Sequence, residues 1–190
     1  MTAFRNVGER EIYAGHVFTL VQGTFEDPDG ERFARDIVRT TGAVAVVPIV
    51  YERGDAHRIP HVVLVAQYRP AHDDVIIEIP AGMRDVAGEA DEDNGRRELA
   101  EEVGLVAGRL TLLTEVYASP GLTDATNAIF LATECTPVER APHGPEEVHA
   151  EVLDLPLPVA LRWVDDGRIV DSKTVVGLLL ADRRLRESGR

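Results

Sequence analysis

The chain is short of several things, and each shortage closes off a class of protein. Only one of its 190 residues is cysteine, Cys135, so no internal disulfide can form and a reducing compartment is expected. Cys135 reads as a buried small hydrophobe at a strand end rather than as a nucleophile. Lys and Arg number 20 against 33 Asp and Glu, a formal net charge of −13. That balance excludes a non-specific nucleic-acid binder, which depends on cations to neutralise phosphates, and a polybasic membrane anchor. No run approaches the roughly 18 apolar residues of a membrane span, and the charged stretch from Met1 to Glu9 lacks the apolar core of a signal peptide. The expectation is a cytoplasmic protein with no nucleic-acid and no membrane partner. Aromatic residues are only 5% of the chain, which leaves Val, Leu, Ala and Ile to build the core.

What is present is an ordinary globular composition, 44% hydrophobic and 28% charged, long enough for one domain with a short appended segment. Glu11 to Gln22 and Arg32 to Thr40 read as strands around the turn Glu26 to Gly30, where Pro28-Asp29-Gly30 supplies a fixed φ and then a residue tolerant of positive φ. Ala43 to Tyr51 is a Val-rich run suited to a strand buried on both faces. A polar loop, Glu52 to Pro60, separates it from strands at His61 to Tyr68 and Val75 to Ile79, and Pro80-Ala81-Gly82 then breaks the pattern. A helix follows from Asp91 to Val103, acidic in its first turn and ended by Gly104. Further strands are expected at Leu110 to Tyr117, Asn127 to Thr133 and Glu151 to Leu155, with a short helix at Val159 to Asp166. A last helix is capped by Asp171 or Ser172. Strands outnumber helices and do not alternate with them, which favours an α+β fold, a mixed sheet with flanking helices. There is no internal repeat and no low-complexity segment.

The informative stretch is the helix from Asp91 to Val103. Glu98 and Glu102 are one turn apart and Glu101 lies beside them. Three carboxylates on one face repel, and a hard divalent cation among them relieves that repulsion; Mg²⁺ takes carboxylate oxygens and commonly bridges phosphates. Arg97 can orient a neighbouring glutamate. Leu99, Ala100 and Val103 give the helix a separate apolar face, and Gly95 permits close packing at some cost in helix propensity. A glutamate run alone more often means a solvated helix face.

The flanks change that balance. From Glu89 to Leu105 the chain resembles the Nudix box in full, written G-x5-E-x7-R-E-U-x-E-E-x-G-U with U aliphatic. One departure stands out: six residues rather than five separate Gly82 from Glu89. Because every helical spacing is kept, the extra residue is expected in the loop before the helix. Features outside the box are similar to the ADP-ribose pyrophosphatase branch of that family: the run Gly42 to Ile49, Gln67-Tyr68-Arg69, Glu78 to Gly82, and Ser119-Pro120-Gly121. Pro120 lies fifteen residues past Leu105, and the resemblance runs from residue 12 to residue 185.

The resemblance implies a Nudix fold, an α/β/α sandwich, over residues 41–190 behind a strand-rich arm at 1–40 that serves dimerisation. It implies hydrolysis of the diphosphate linkage of a small nucleoside diphosphate sugar, ADP-ribose, to AMP and ribose 5-phosphate. The cofactor is Mg²⁺, with Mn²⁺ as a substitute, held by Glu98, Glu102, Glu101 and the carbonyl of Ala81. The general base comes from a mobile acidic loop, here Glu146 or Glu147, although Val148 stands where the branch often has another acid. Arg97 and Glu101 complete the catalytic set. Arg69 is the candidate phosphate grip, with Arg35, Arg84 and Pro120 as weaker substrate contacts; Arg35 is equally well a plain strand-surface arginine. Glu78 either hydrogen-bonds a ribose or base, or is an exposed strand residue. Loop histidines such as His149 are more often surface residues than bases. Rival readings are another nucleoside diphosphate sugar or dinucleotide, a nucleoside triphosphate pyrophosphohydrolase, or a non-catalytic sensor. The intact acids count against the sensor, and the strand-rich prelude and Pro120 against the triphosphate enzyme.

Overall fold

The structure is a computed structural model that describes residues 3–51 and 59–189. Most of the loop expected at Glu52 to Pro60, and the first two residues, lie outside the described residues. The chain forms two compact units, Met1–Gly42 with Tyr117–Thr126, and Ala43–Val116 with Asn127–Arg190.

The first unit is an antiparallel sheet of β1 (Arg5–Ala14), β2 (Thr19–Glu26) and β3 (Arg32–Arg39), in that order. The single strand expected over Glu11 to Gln22 is in fact two. A tight turn in which Gly15 N–H donates to the Phe18 carbonyl at 2.9 Å reverses the chain. The β-formers on either side of Ala14-Gly15-His16, Ile12-Tyr13 and Val17-Phe18, hid this turn, and the first strand starts at Arg5, earlier than expected. Segment 117–126 is strapped to β3: Val38 N–H donates to the Leu122 carbonyl at 2.9 Å, and Arg39 pairs with Asp124 at 3.2 Å. Phe25 and Phe33 stack with ring centroids 5.6 Å apart, and the Arg35 guanidinium sits 4.8 Å over Phe33.

The second unit holds, in chain order, β4 (Ala43–Tyr51), β5 (Pro60–Arg69), β6 (Asp74–Glu78), β7 (Ala81–Met83), α1 (Asp91–Val103), β8 (Leu105–Val106), β9 (Arg109–Tyr117) and β10 (Thr126–Thr133). Then follow β11 (Thr136–Pro137), α2 (Pro145–Val148), β12 (Glu151–Pro156), α3 (Leu157–Asp165) and α4 (Ser172–Ser188). The main sheet runs β12-β5-β4-β10-β9, with β6 beside β5 and β7 beside β4. β10 pairs with β4 in parallel while β12, β6 and β7 pair antiparallel, so the sheet is mixed as expected.

Strand periodicity makes the layers. Ala45, Val47 and Ile49 of β4 face one way and pack with Leu157 and Ala160 of α3 and Leu178 and Ala181 of α4. Val44 and Val46 face the other way, onto Leu99 and Val103 of α1. The sheet lies between helices, an α/β/α sandwich. Leu99 is fully buried, a contribution of about 2 kcal/mol, and Leu99→Ala is the change that would loosen α1 most. At Gly95 an added Cβ would meet Val46 at 3.1 Å and Val44 at 3.3 Å, so the helix sits close against β4. Gly104 ends it in the left-handed region at φ 67°, its N–H donating to the Ala100 carbonyl.

Two further differences from the sequence reading have simple causes. The Pro80 break is followed at once by β7, because the Pro80 carbonyl accepts from Val46 N–H at 2.9 Å and keeps the chain on the sheet. The helix expected from Val159 begins at Leu157, since Pro158 is accommodated in the first turn, where no backbone N–H is needed.

Candidate active site

β7 and α1 bring the box residues together. Asn94 Nδ2 donates to the Met83 carbonyl at 2.8 Å, tying the start of the helix to β7. Ala81 N–H donates to Glu102 Oε2 at 3.0 Å, tying its end. Gly82 lies so near Glu98 that an added Cβ would stand 1.9 Å from its Oε1. Only glycine leaves that carboxylate its place.

Arg97 is the hub of the acids. It donates to both oxygens of Glu89 at 3.1 and 3.2 Å, to Glu98 Oε1 at 2.6 Å and to Glu101 Oε2 at 3.1 Å. These carboxylates hold its guanidinium firmly charged. The additional residue before Glu89 is taken up in the turn at Gly88, φ 81°, where Glu89 N–H donates to the Val86 carbonyl at 3.2 Å. Glu89 therefore still reaches the helix.

Glu98, Glu101 and Glu102 line a cleft of about 420 Å³ together with Gln67, Arg69, Ala81, Gly82, Asp85, Arg97, His143 and Glu147. Glu102 is 3% exposed. Burial pushes its pKa up to about 8, and the charges of Glu98 and Glu147 push in the same direction against the Ala81 hydrogen bond. Glu98 is raised too, by burial first. Among the described residues no three His, Cys, Asp or Glu side chains are drawn into a ready-made cation cage; Arg97 holds Glu98 and Glu101 instead. The donor chemistry nonetheless fits a hard divalent ion. The acids are oxygen donors only, two are buried at an energetic cost that a cation would offset, and they face an open cleft.

Across the cleft, Arg69 makes a two-pronged pair with Glu78, Nε to Oε1 at 2.6 Å and Nη2 to Oε2 at 2.9 Å. Glu78 is 2% exposed, which overturns its reading as an exposed strand residue. Lys173 also bonds it, from the first turn of α4. Glu147 lines the cleft, its Oε2 accepting from His143 N–H at 2.7 Å, whereas Glu146 lines a separate pocket with Tyr68, Val75 and His149. Arg84 pairs with Asp91 at 2.8 Å and with Glu115 at 3.4 Å. Arg35 and the exposed Pro120 belong to the first unit.

Sequence reasoning assigned no individual role to His143, whose Nε2 lies 3.5 Å from Glu101 Oε1, to the buried Gln67, or to Lys173. Gln67 carried two signals, a polar residue at the end of an apolar strand and its place in Gln67-Tyr68-Arg69, whereas His143 gave none.

The NUDIX domain model matches residues 40–168. The chain is 33% identical to an ADP-ribose pyrophosphatase of Bacillus subtilis (strain 168) over 92% of this chain and 90% of the relative. It is equally similar, with the same coverage, to a methanol dehydrogenase activator of Bacillus methanolicus. Among solved structures, a crystal structure of an ADP compounds hydrolase superposes with a TM-score of 0.83 at 25% identity, covering 98% of this chain and 96% of that one. The box, the sandwich that presents it and these likenesses agree, and the chain belongs to the Nudix hydrolase family.

Proposed function

We propose that the chain hydrolyses the diphosphate bridge of ADP-ribose with Mg²⁺ as its cofactor, releasing AMP and ribose 5-phosphate. The observation that carries this reading is one cleft lined by Glu98, Glu101, Glu102 and Glu147 with Arg69. The choice of ADP-ribose draws on the names of the Bacillus subtilis relative and of the structural neighbour.

Glu98, Glu101 and Glu102 hold Mg²⁺, or Mn²⁺ in its place, with the Ala81 carbonyl as a further ligand. The ion, when bound, offsets phosphate charge and polarises the phosphoryl group. Glu147 takes a proton from the attacking water. The water oxygen forms a bond to phosphorus, the bridging P–O bond breaks, and the electron pair leaves with the departing phosphate. Arg69 uses two of its five N–H groups on Glu78, which fixes its plane and leaves the others for a substrate phosphate. Glu78, with both oxygens engaged, orients Arg69 rather than touching substrate.

The test is to incubate the protein with ADP-ribose and Mg²⁺ and resolve the products by chromatography. AMP and ribose 5-phosphate in equal amounts are expected. ADP-ribose left intact, with turnover of another nucleoside diphosphate sugar, overturns the substrate. The first unit exposes Phe4, Tyr13, Val17 and Leu122, an apolar surface that a second copy of the chain would cover. A homodimer in sedimentation, lost on deleting residues 1–40, is the corresponding expectation, and an unchanged dimer refutes it.

A further inference from the structure

Arg140 lies between β11 and α2, outside the residues that line the cleft. Its guanidinium bonds three backbone carbonyls: Nε donates to that of Glu102, Nη2 to that of Glu147 at 2.8 Å, and Nη1 to that of Ala150 at 3.4 Å.

The need for such a group follows from helix ends. The last carbonyls of a helix lack intrahelical donors and carry the negative end of its dipole. α1 ends at Val103, and neither α1 nor α2 has a basic residue in its last turn. Arg140 supplies the missing cation to both. Gly104 lets it approach: an added Cβ there would meet the Val138 carbonyl at 2.9 Å and Arg140 Cβ at 3.5 Å. Val138 N–H in turn donates to the Gly104 carbonyl at 2.8 Å, laying this segment along the end of the acidic helix.

We infer that Arg140 is a positioning residue: by bonding the carbonyls of Glu102 and Glu147 at once, it fixes the Glu147 segment against the acidic helix so that both carboxylates face one cleft. The assignment rests on the reading of Glu147 as general base. A planar guanidinium reaches three acceptors with fixed geometry, which a lysine ammonium on a flexible stem does not reproduce.

The experiment uses the full chain as Arg140→Ala, Arg140→Lys, Glu147→Gln and the double variant Arg140→Ala/Glu147→Gln. Hydrogen exchange is independent of the substrate. The amides of His143, Val148, His149 and Ala150 should exchange roughly tenfold faster in Arg140→Ala, with β4 protection unchanged. On ADP-ribose, kcat should fall roughly 100-fold with KM within about threefold, as a misplaced catalytic group does, and Arg140→Lys should recover part of it. The losses of Arg140→Ala and Glu147→Gln should not multiply in the double variant, because one acts through the other. Unchanged exchange at 143–150, or losses that multiply, overturns the assignment. Should Arg140→Ala fail to fold, the same two readouts on Arg140→Lys decide it. Wild-type protein inactive on ADP-ribose sinks the substrate reading alone, and exchange still decides Arg140.

Discussion

Arg69 of β5 reaches along the sheet to Glu78 of the paired strand β6, whose register partner is Val65, in a fork of two hydrogen bonds, 2.6 and 2.9 Å, with the carboxylate buried and Lys173 closing on it from α4. Burial alone would raise the Glu78 pKa, but the Arg69 hydrogen bonds and the Lys173 charge outweigh it and hold the carboxyl below its ordinary value. The folded state therefore favours ionised Glu78. The stability this gives is present above the unfolded pKa of about 4.5 and is lost as pH falls through the lower folded value. Glu78→Gln takes the charged partner from Arg69 and leaves Lys173 only Asp171, at 3.1 Å, which costs roughly 3 kcal/mol at pH 7. Urea denaturation at pH 7 and pH 3 checks this: the gap between wild type and variant should narrow in acid. A gap equal at both pH values would refute the ion-pair account.

How far the sequence carries can be judged from the same residues. The acidic helix was legible because a 3.6-residue period, an acidic start and Gly104 all agree, and because spacing alone puts Glu98 and Glu102 on one face. β4 was legible as an uninterrupted apolar run. The turn at Gly15 was not, since only Ala14-Gly15-His16 separates the β-branched and aromatic residues on its two sides. Arg69 and Glu78 lie nine residues apart on paired strands, but Lys173 is 95 residues beyond Glu78, and only the docking of α4 brings it to them. Arg140 could not be found at all, because it bonds backbone carbonyls, which every residue has.

Gly82 can be tested by a single methyl group. An added Cβ would stand 1.9 Å from Glu98 Oε1 and 2.0 Å from its Cδ, so Gly82→Ala must expel that carboxylate from the cleft. The obstacle is a side-chain end that can move, so the stability loss should stay near 1 kcal/mol. Turnover should fall about 100-fold or more, as a displaced ligand implies. Thermal melts beside steady-state kinetics decide the matter. A variant unstable but active per folded molecule would mean that Glu98 does not work from this position.

Glu146 and Glu147 are adjacent in sequence yet line different pockets. Glu147→Gln should lower kcat by about 100-fold or more, the usual loss for a general base. Glu146→Gln should stay within roughly threefold of wild type. The reverse order would mean that the loop swings its other acid inward during turnover.

Glu102 links stability, pH and metal. Its carboxyl is pushed up to about 8, by burial first and then by Glu98 and Glu147, so the folded state resists its ionisation. In metal-free protein a stability penalty grows as pH rises from about 4.5 and is complete above about 8. Glu102→Gln keeps an oxygen for the Ala81 N–H and carries no charge. Without divalent ions it should therefore melt higher than wild type at pH 8.5, with the difference shrinking toward pH 5. Mg²⁺ narrows the gap: an ion at 100 times its Kd stabilises wild type by about 2.7 kcal/mol, whereas the variant, having lost a ligand, gains much less and turns over slowly. Calorimetric melts at two pH values, with chelator and with Mg²⁺, separate these terms. Equal Mg²⁺ stabilisation of both proteins would remove Glu102 from the metal site, however strongly its burial perturbs it.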